Sequence, residues 1–127
     1  MHFTEDLPSG NYIINEYTNN SVSINRKCYK NSIYISPNTL IEEPGIRLCS
    51  EITLESIQFI IDSSPEIVIL GTGPRLDFPN PSIIAHFAHH KIGFEAMDHA
   101  AACRTFAVLL AEKRDVGALL LIDPEKA

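Results

Sequence analysis

The stretch IVILGTGPR, residues 67–75, runs an apolar segment straight into a Gly-Thr-Gly turn. EIVIL, residues 66–70, is too short for a helix and continuously apolar, the pattern of a strand buried on both faces of a sheet. Gly71 and Gly73 then mark a turn at the carboxyl end of that strand, where open α/β sheets collect their ligands. The turn therefore bears on chemistry as well as on topology.

Downstream, Asn80 and Pro81 stand as N-cap and first-turn residues of a helix whose stripe is Ile83, Ile84, Phe87 and Ala88. The short strand IGFEAM (92–97) follows, with Gly93 either in the strand or closing the helix before it. Asp98 is placed to cap a helix over HAAACRTFAVLLAEKR (99–114), and VGALLLI (116–122) is again a fully apolar strand. Strands joined by helices of this length need crossover connections, which make parallel pairs with right-handed crossings. The second half thus predicts a β-α-β-α-β layer of parallel type.

Upstream the texture is polar and β-rich. NYIINEY (11–17), SVSIN (21–25) and NSIYIS (31–36) read as three strands of an antiparallel meander, separated by TNN and a polar RKCYK stretch. Residues 37–50 carry two prolines and a glycine and read as loop, with one short extended piece at Ile46–Leu48. TLESIQFIID (53–62) reads as a helix capped by Thr53, with Leu54, Ile57 and Ile61 on its apolar face. The expected fold class is mixed α/β, a single domain over residues 1–127 in which the meander packs with the parallel layer.

The chain has a formal net charge of -6, and its ten Lys and Arg residues are scattered, which excludes the basic footprint that nucleic acid requires. No apolar run reaches the roughly 18–20 residues of a membrane-spanning helix. The opening MHFTEDLPSGNY lacks the features of a secretory or mitochondrial address, so a cytoplasmic, bacterial protein is the expectation. Cys28, Cys49 and Cys103 are odd in number and lack Cys-x-x-Cys spacing, so they read as reduced thiols.

The turn itself departs from the dinucleotide fingerprint. Leu76 occupies the place of the third glycine, the helix starts only near residue 81, and no Gly-Lys-Ser/Thr follows, so neither a dinucleotide nor a P-loop phosphate is expected. Two readings stay open: a tight corner whose glycines supply positive φ, or a small-anion site formed by Gly71, Thr72, Gly73 and Arg75. Asp98, Cys103 and Arg104 could join such a site, although Cys103 falls on the same stripe as Phe106 and Leu110. Arg104 is expected to pair with Asp98, Glu95 or Glu112. His86, His89 and His90 fall at i, i+3 and i+4, but no further ligand lies nearby in sequence, so no metal and no cofactor is assigned. The helix after Asp98 is apolar around most of its circumference, which calls for burial between layers or for a covering partner.

With GTG at 71–73 and GFEAMDHAAACRTFAVLLAEKR at 93–114, the chain resembles the MTH-like domain family, a domain of unknown function, over nearly its whole length. The matching pattern is Met97, Asp98, Ala102, Cys103, Arg104, Thr105, Leu109, Glu112 and Arg114. Phe106 and Ala107 stand where many relatives carry Tyr and Asn. The resemblance implies a three-layer α/β domain and kinship with a mitochondrial factor that helps assemble respiratory complex I together with a second assembly factor. It also implies kinship with an adipogenesis-associated protein. On this footing the expected role is a non-enzymatic interaction or assembly module with a protein partner or a second copy of itself. The alternative is a small-anion binder or enzyme built on the Gly71–Arg75 turn with Asp98, Cys103 and Arg104.

Overall fold

The computed structural model describes residues 3–6 and 12–126, among which two β-sheets and three α-helices form. The parallel layer is as the second half predicts. Strand β7 (Ile67–Gly71) pairs in parallel with β8 (Gly93–Met97) on one side and with β9 (Val116–Leu120) on the other. Helix α2 (Pro81–His89) joins β7 to β8, and α3 (His99–Ala111) joins β8 to β9. Because the first connection moves outward and the second returns across β7, right-handed crossings put the two helices on opposite faces.

Both helix starts follow local chemistry. Asn80 accepts the N–H of Ser82 at 2.9 Å ahead of Pro81, and Asp98 accepts that of Ala101 at 2.9 Å, each satisfying a donor that the helix leaves free. Gly93 belongs to β8, and the preceding corner is turned instead by Lys91 at φ 60.

The first half differs from the expected single meander. Three short strands, β2 (Ile14–Thr18), β3 (Ser21–Ile24) and β4 (Lys27–Tyr29), make a small antiparallel sheet of their own. Asn11, where the expected first strand begins, lies outside the described residues. The RKCYK stretch is no separator but carries β4, because Asn25 and Arg26 both take positive φ (49 and 73) and close a two-residue hairpin. NSIYIS leaves the meander altogether: β5 (Ile33–Ile35) pairs antiparallel with β9 inside the large sheet. β6 (Thr39–Glu42) forms within the expected loop, and β1 (Phe3–Asp6) lies at the sheet's edge, giving the order β1-β6-β5-β9-β7-β8. No strand forms at Ile46–Leu48. Helix α1 (Gln58–Ser63) starts later than expected, since Thr53 and Ser56 exchange side-chain to backbone hydrogen bonds in a turn that leaves Leu54 45% exposed.

The layers follow from the twofold alternation of strand side chains. On one face, Ile33, Ile35, Ile69, Ala118 and Leu120 meet the small sheet through Val22, Ile24 and Tyr29, and meet α3 through Ala102, Cys103 and Phe106. On the other, Tyr34, Val68, Leu70, Leu119 and Leu121 meet α1 and α2 through Ile60, Ile61, Ile83 and Phe87. The apolar circumference of α3 is therefore mostly accounted for inside the chain, with Ala107 and Val108 left facing outward.

Tyr34 reaches across β9 at Gly117, where an added Cβ would overlap the phenol oxygen and come within 2.8 Å of its ring. Burial pushes the Tyr34 hydroxyl up to about 12, outweighing a hydrogen bond with Ser63 that acts the other way. Gly117→Ala is expected to destabilise the fold by about 1–3 kcal/mol by overpacking, read from urea unfolding. Combining it with Tyr34→Phe should recover part of that loss, because the oxygen is the atom in closest conflict.

Candidate functional site

At the carboxyl ends of β7 and β9 the structure opens into a cleft of about 470 Å³. Its walls come from four distant parts of the chain. Loop 72–77 forms one, Leu121, Ile122 and Asp123 after β9 form the floor, and Asn19, Asn20, Arg47 and Leu48 close the far side. The volume lies within the range of small-molecule sites.

Thr72 builds the loop wall. Its hydroxyl donates to the Arg75 carbonyl at 2.7 Å, with the Met97 carbonyl as a second acceptor at 3.1 Å, and it accepts the N–H of Asp77 at 3.0 Å. The turn is also tied to the start of α3: Thr72 N–H donates to Met97 O at 2.8 Å, and His99 N–H donates to Gly73 O at 2.7 Å. Both glycines have steric reasons. A Cβ on Gly71 would stand 3.0 Å from Leu120 Cδ2 and 3.1 Å from the Ala102 Cβ, and Gly73 sits at φ 100.

Of the residues singled out in sequence, Thr72, Gly73 and Arg75 line the cleft together, and Gly71 lies behind them as the closing residue of β7. Asp98, Cys103 and Arg104 are not among the lining residues. Asp98 is engaged as the cap of α3. Cys103 is buried in the core, and desolvation drives its thiol up to about 12 against the smaller opposing pull of Arg104. Arg104 does not pair with a carboxylate as expected; its Nη1 donates to the Tyr17 hydroxyl at 3.2 Å, because β2 crosses this side of α3.

The two cleft arginines differ. Arg47 is surrounded by acid, with Glu125 at 2.7 Å, Glu51 at 3.8 Å and Asp123 at 4.0 Å. The Arg75 guanidinium is exposed and makes no hydrogen bond or ion pair with any described residue. Sequence spacing could not have found Asn19, Asn20 or Arg47, which lie about 25 to 50 residues before the turn and reach it only through the β2–β3 turn and the chain after β6. Leu121–Asp123 were within reach, since they follow a second parallel strand at the same sheet edge.

Two histidine groups lie outside the cleft. His99 is buried, and its Nε2–H donates to the Ser21 carbonyl at 2.8 Å, leaving Nδ1 without a partner among the described residues. On α2, the rings of His86 and His90 stand 4.7 Å apart and those of His89 and His90 5.4 Å. Among the described residues no three His, Cys, Asp or Glu side chains are grouped to hold a metal ion, and no helix is long and apolar enough to cross a membrane.

The burial pattern makes a chemical prediction. Cys49, pushed up to about 11 by burial with a smaller contribution from Asp77, and Cys103 should both resist aromatic disulfide reagents at pH 8, while exposed Cys28 reacts. One rapid equivalent of released thiolate per folded chain is expected, and all three only after unfolding.

A Xenopus tropicalis protein named NADH dehydrogenase (ubiquinone) 1 alpha subcomplex assembly factor 3 is 36% identical to this chain over 77 residues. The match covers 59% of this chain and 42% of that relative, so the chain spans less than half the relative's length. A Francisella tularensis protein named 13 kDa major membrane protein is 24% identical over 122 residues, covering 95% of this chain and 99% of its own. In structure, a Mth938-like domain from Bordetella pertussis superposes with a TM-score of 0.71 at 24% identity, covering 88% of this chain and 86% of the other, which establishes the shared fold. The strand, Gly-Thr-Gly turn and capped α3 all fall inside residues 14–121, which match a family model, and the chain belongs to that family, described as a protein of unknown function (DUF498/DUF598).

Proposed function

We propose that the chain, acting as one domain over residues 1–127, is a non-enzymatic protein-interaction module of the assembly-factor kind. The observation that supports it most is the display of two large apolar side chains on a hydrogen-bonded loop. Leu76 is 55% and Phe78 60% exposed, and both project from the loop that Thr72 holds in shape, with Leu48 across the cleft. Apolar groups held outward on a built loop favour a docking role over random surface exposure. The name of the Xenopus relative suggests an NADH dehydrogenase assembly intermediate as the client, with a second copy of the chain as the other candidate partner. The proposed setting is the cytoplasm of a bacterium, with any membrane association reached through the docked partner.

The cleft favours a second reading, binding of a small anion, because Arg75 is unpaired among the described residues.

The docking reading is tested with Leu76→Asp/Phe78→Asp. Both positions are exposed, so the melting temperature should stay within a few degrees of wild type. Cross-linking in cells followed by quantitative mass spectrometry should show an NADH dehydrogenase subunit, or the chain itself, joined to wild type and reduced at least about fivefold in the variant. Equal recovery from both, or no cross-link from a wild-type chain that light scattering finds monomeric, would remove the proposal.

A further inference from the structure

The cleft combines features that do not belong together on an idle surface. Exposed apolar side chains, Leu48 and Leu76, line it beside polar groups, and the chain at Leu121 and Ile122 lies beneath them. Among the described residues one cation, Arg75, has no partner, whereas the other, Arg47, lies within 4.0 Å of three carboxylates. A guanidinium at the mouth of an apolar cleft offers two parallel donors to a carboxylate. Asn19 and Asn20 lie within the same lining, and their amide groups can donate as well.

The acidic residues decide how much negative charge the cleft tolerates. Asp77 and Asp123 also line it. With Arg47 engaged by Asp123, Glu51 and Glu125, a ligand carrying a second negative charge would find no second free cation among the described residues of the lining and would meet Asp77. That arrangement admits a monoanion and disfavours dicarboxylates, inorganic phosphate and polyphosphates.

We infer that this cleft is a binding site for a small monocarboxylate with an aliphatic body, the carboxylate held by Arg75 and the hydrocarbon resting against the exposed side chains of Leu48 and Leu76. This goes beyond the docking reading and does not rest on it. Ligand binding needs only the purified chain, while docking is read in cells through Leu76 and Phe78; because Phe78 is not part of the cleft lining, Phe78→Asp alone separates the two readings. The open rim leaves part of the ligand in water, so affinity for a six-carbon acid is on the order of 1 mM.

The test is titration of the isotopically labelled chain with hexanoate, followed by amide chemical shifts, beside hexanamide, adipate and inorganic phosphate. Hexanoate should move the signals of Gly73 and Leu121–Asp123 saturably, and the other three should bind at least about tenfold more weakly. Arg75→Gln should weaken hexanoate about tenfold, while Arg47→Lys, which keeps the charge among the carboxylates that already engage it, should change it less than about threefold. Both side chains are exposed, so neither variant threatens the fold. Equal binding of hexanoate and hexanamide would overturn the role of Arg75. Tighter binding of adipate or phosphate would overturn the monoanion assignment, and absence of saturable shifts with hexanoate would overturn the site itself.

Discussion

Three parts of the chain meet where Gly71 ends β7, and there is no room among them for a side chain. The last residue of β9 and the buried face of α3 both stand at the limit of contact with the position a Cβ would occupy. That close approach seats α3 on the sheet. It also brings the Gly73 carbonyl to the first N–H of the helix, so the turn and the helix start satisfy one another. The loop that leaves this corner has its direction set before Thr72 fixes its shape. The cleft, the outward Leu76 and Phe78, and the free Arg75 all depend on that corner.

The same corner departs from the geometry by which a dinucleotide fold binds its pyrophosphate. In a dinucleotide fold the helix that follows the turn aims its free N–H groups at the pyrophosphate. Here the helix nearest the turn is α3, and its start is closed by the Asp98 side chain and the Gly73 carbonyl. The helix that follows in sequence, α2, begins only at Pro81. What remains open at the sheet edge is a mixed apolar and polar cleft rather than a ring of backbone donors.

The conspicuous residues of the family pattern serve mainly as architecture. Asp98 caps, Cys103 fills the core between the sheet layers, and Arg104 ties α3 to β2 through Tyr17. Burial pushes the Cys103 thiol up to about 12, which disfavours its thiolate at neutral pH. The positions with chemistry to spare are on the loop after the turn, whose shape the Thr72 hydroxyl holds and whose side chains at 74–78 are exposed.

The parallel layer was legible in the sequence because its signals are local: apolar runs of strand length, Asn80 before Pro81, and Asp98 before a long helical pattern each specify their element through contacts within a few residues. The first half was not, because its strands are short and apolar runs of that length fit either sheet. Ile33–Ile35 became the strand joining the two halves of the large sheet only because β9 offers it a fully apolar antiparallel neighbour, and the Asn25–Arg26 hairpin depends on two positive φ values that no glycine announces. The cleft was half legible. Thr72, Gly73 and Arg75 lie at a strand's carboxyl end, a place readable from order alone, whereas Arg47, Asn19 and the acids that neutralise Arg47 are brought there by folding. Sequence by itself thus determined the strand, the corner and the helix caps, which are fixed by short-range sterics and hydrogen bonding. Tertiary structure alone decided which charges remain unpaired at that corner, because pairing depends on distances between residues that the chain separates and only the fold unites.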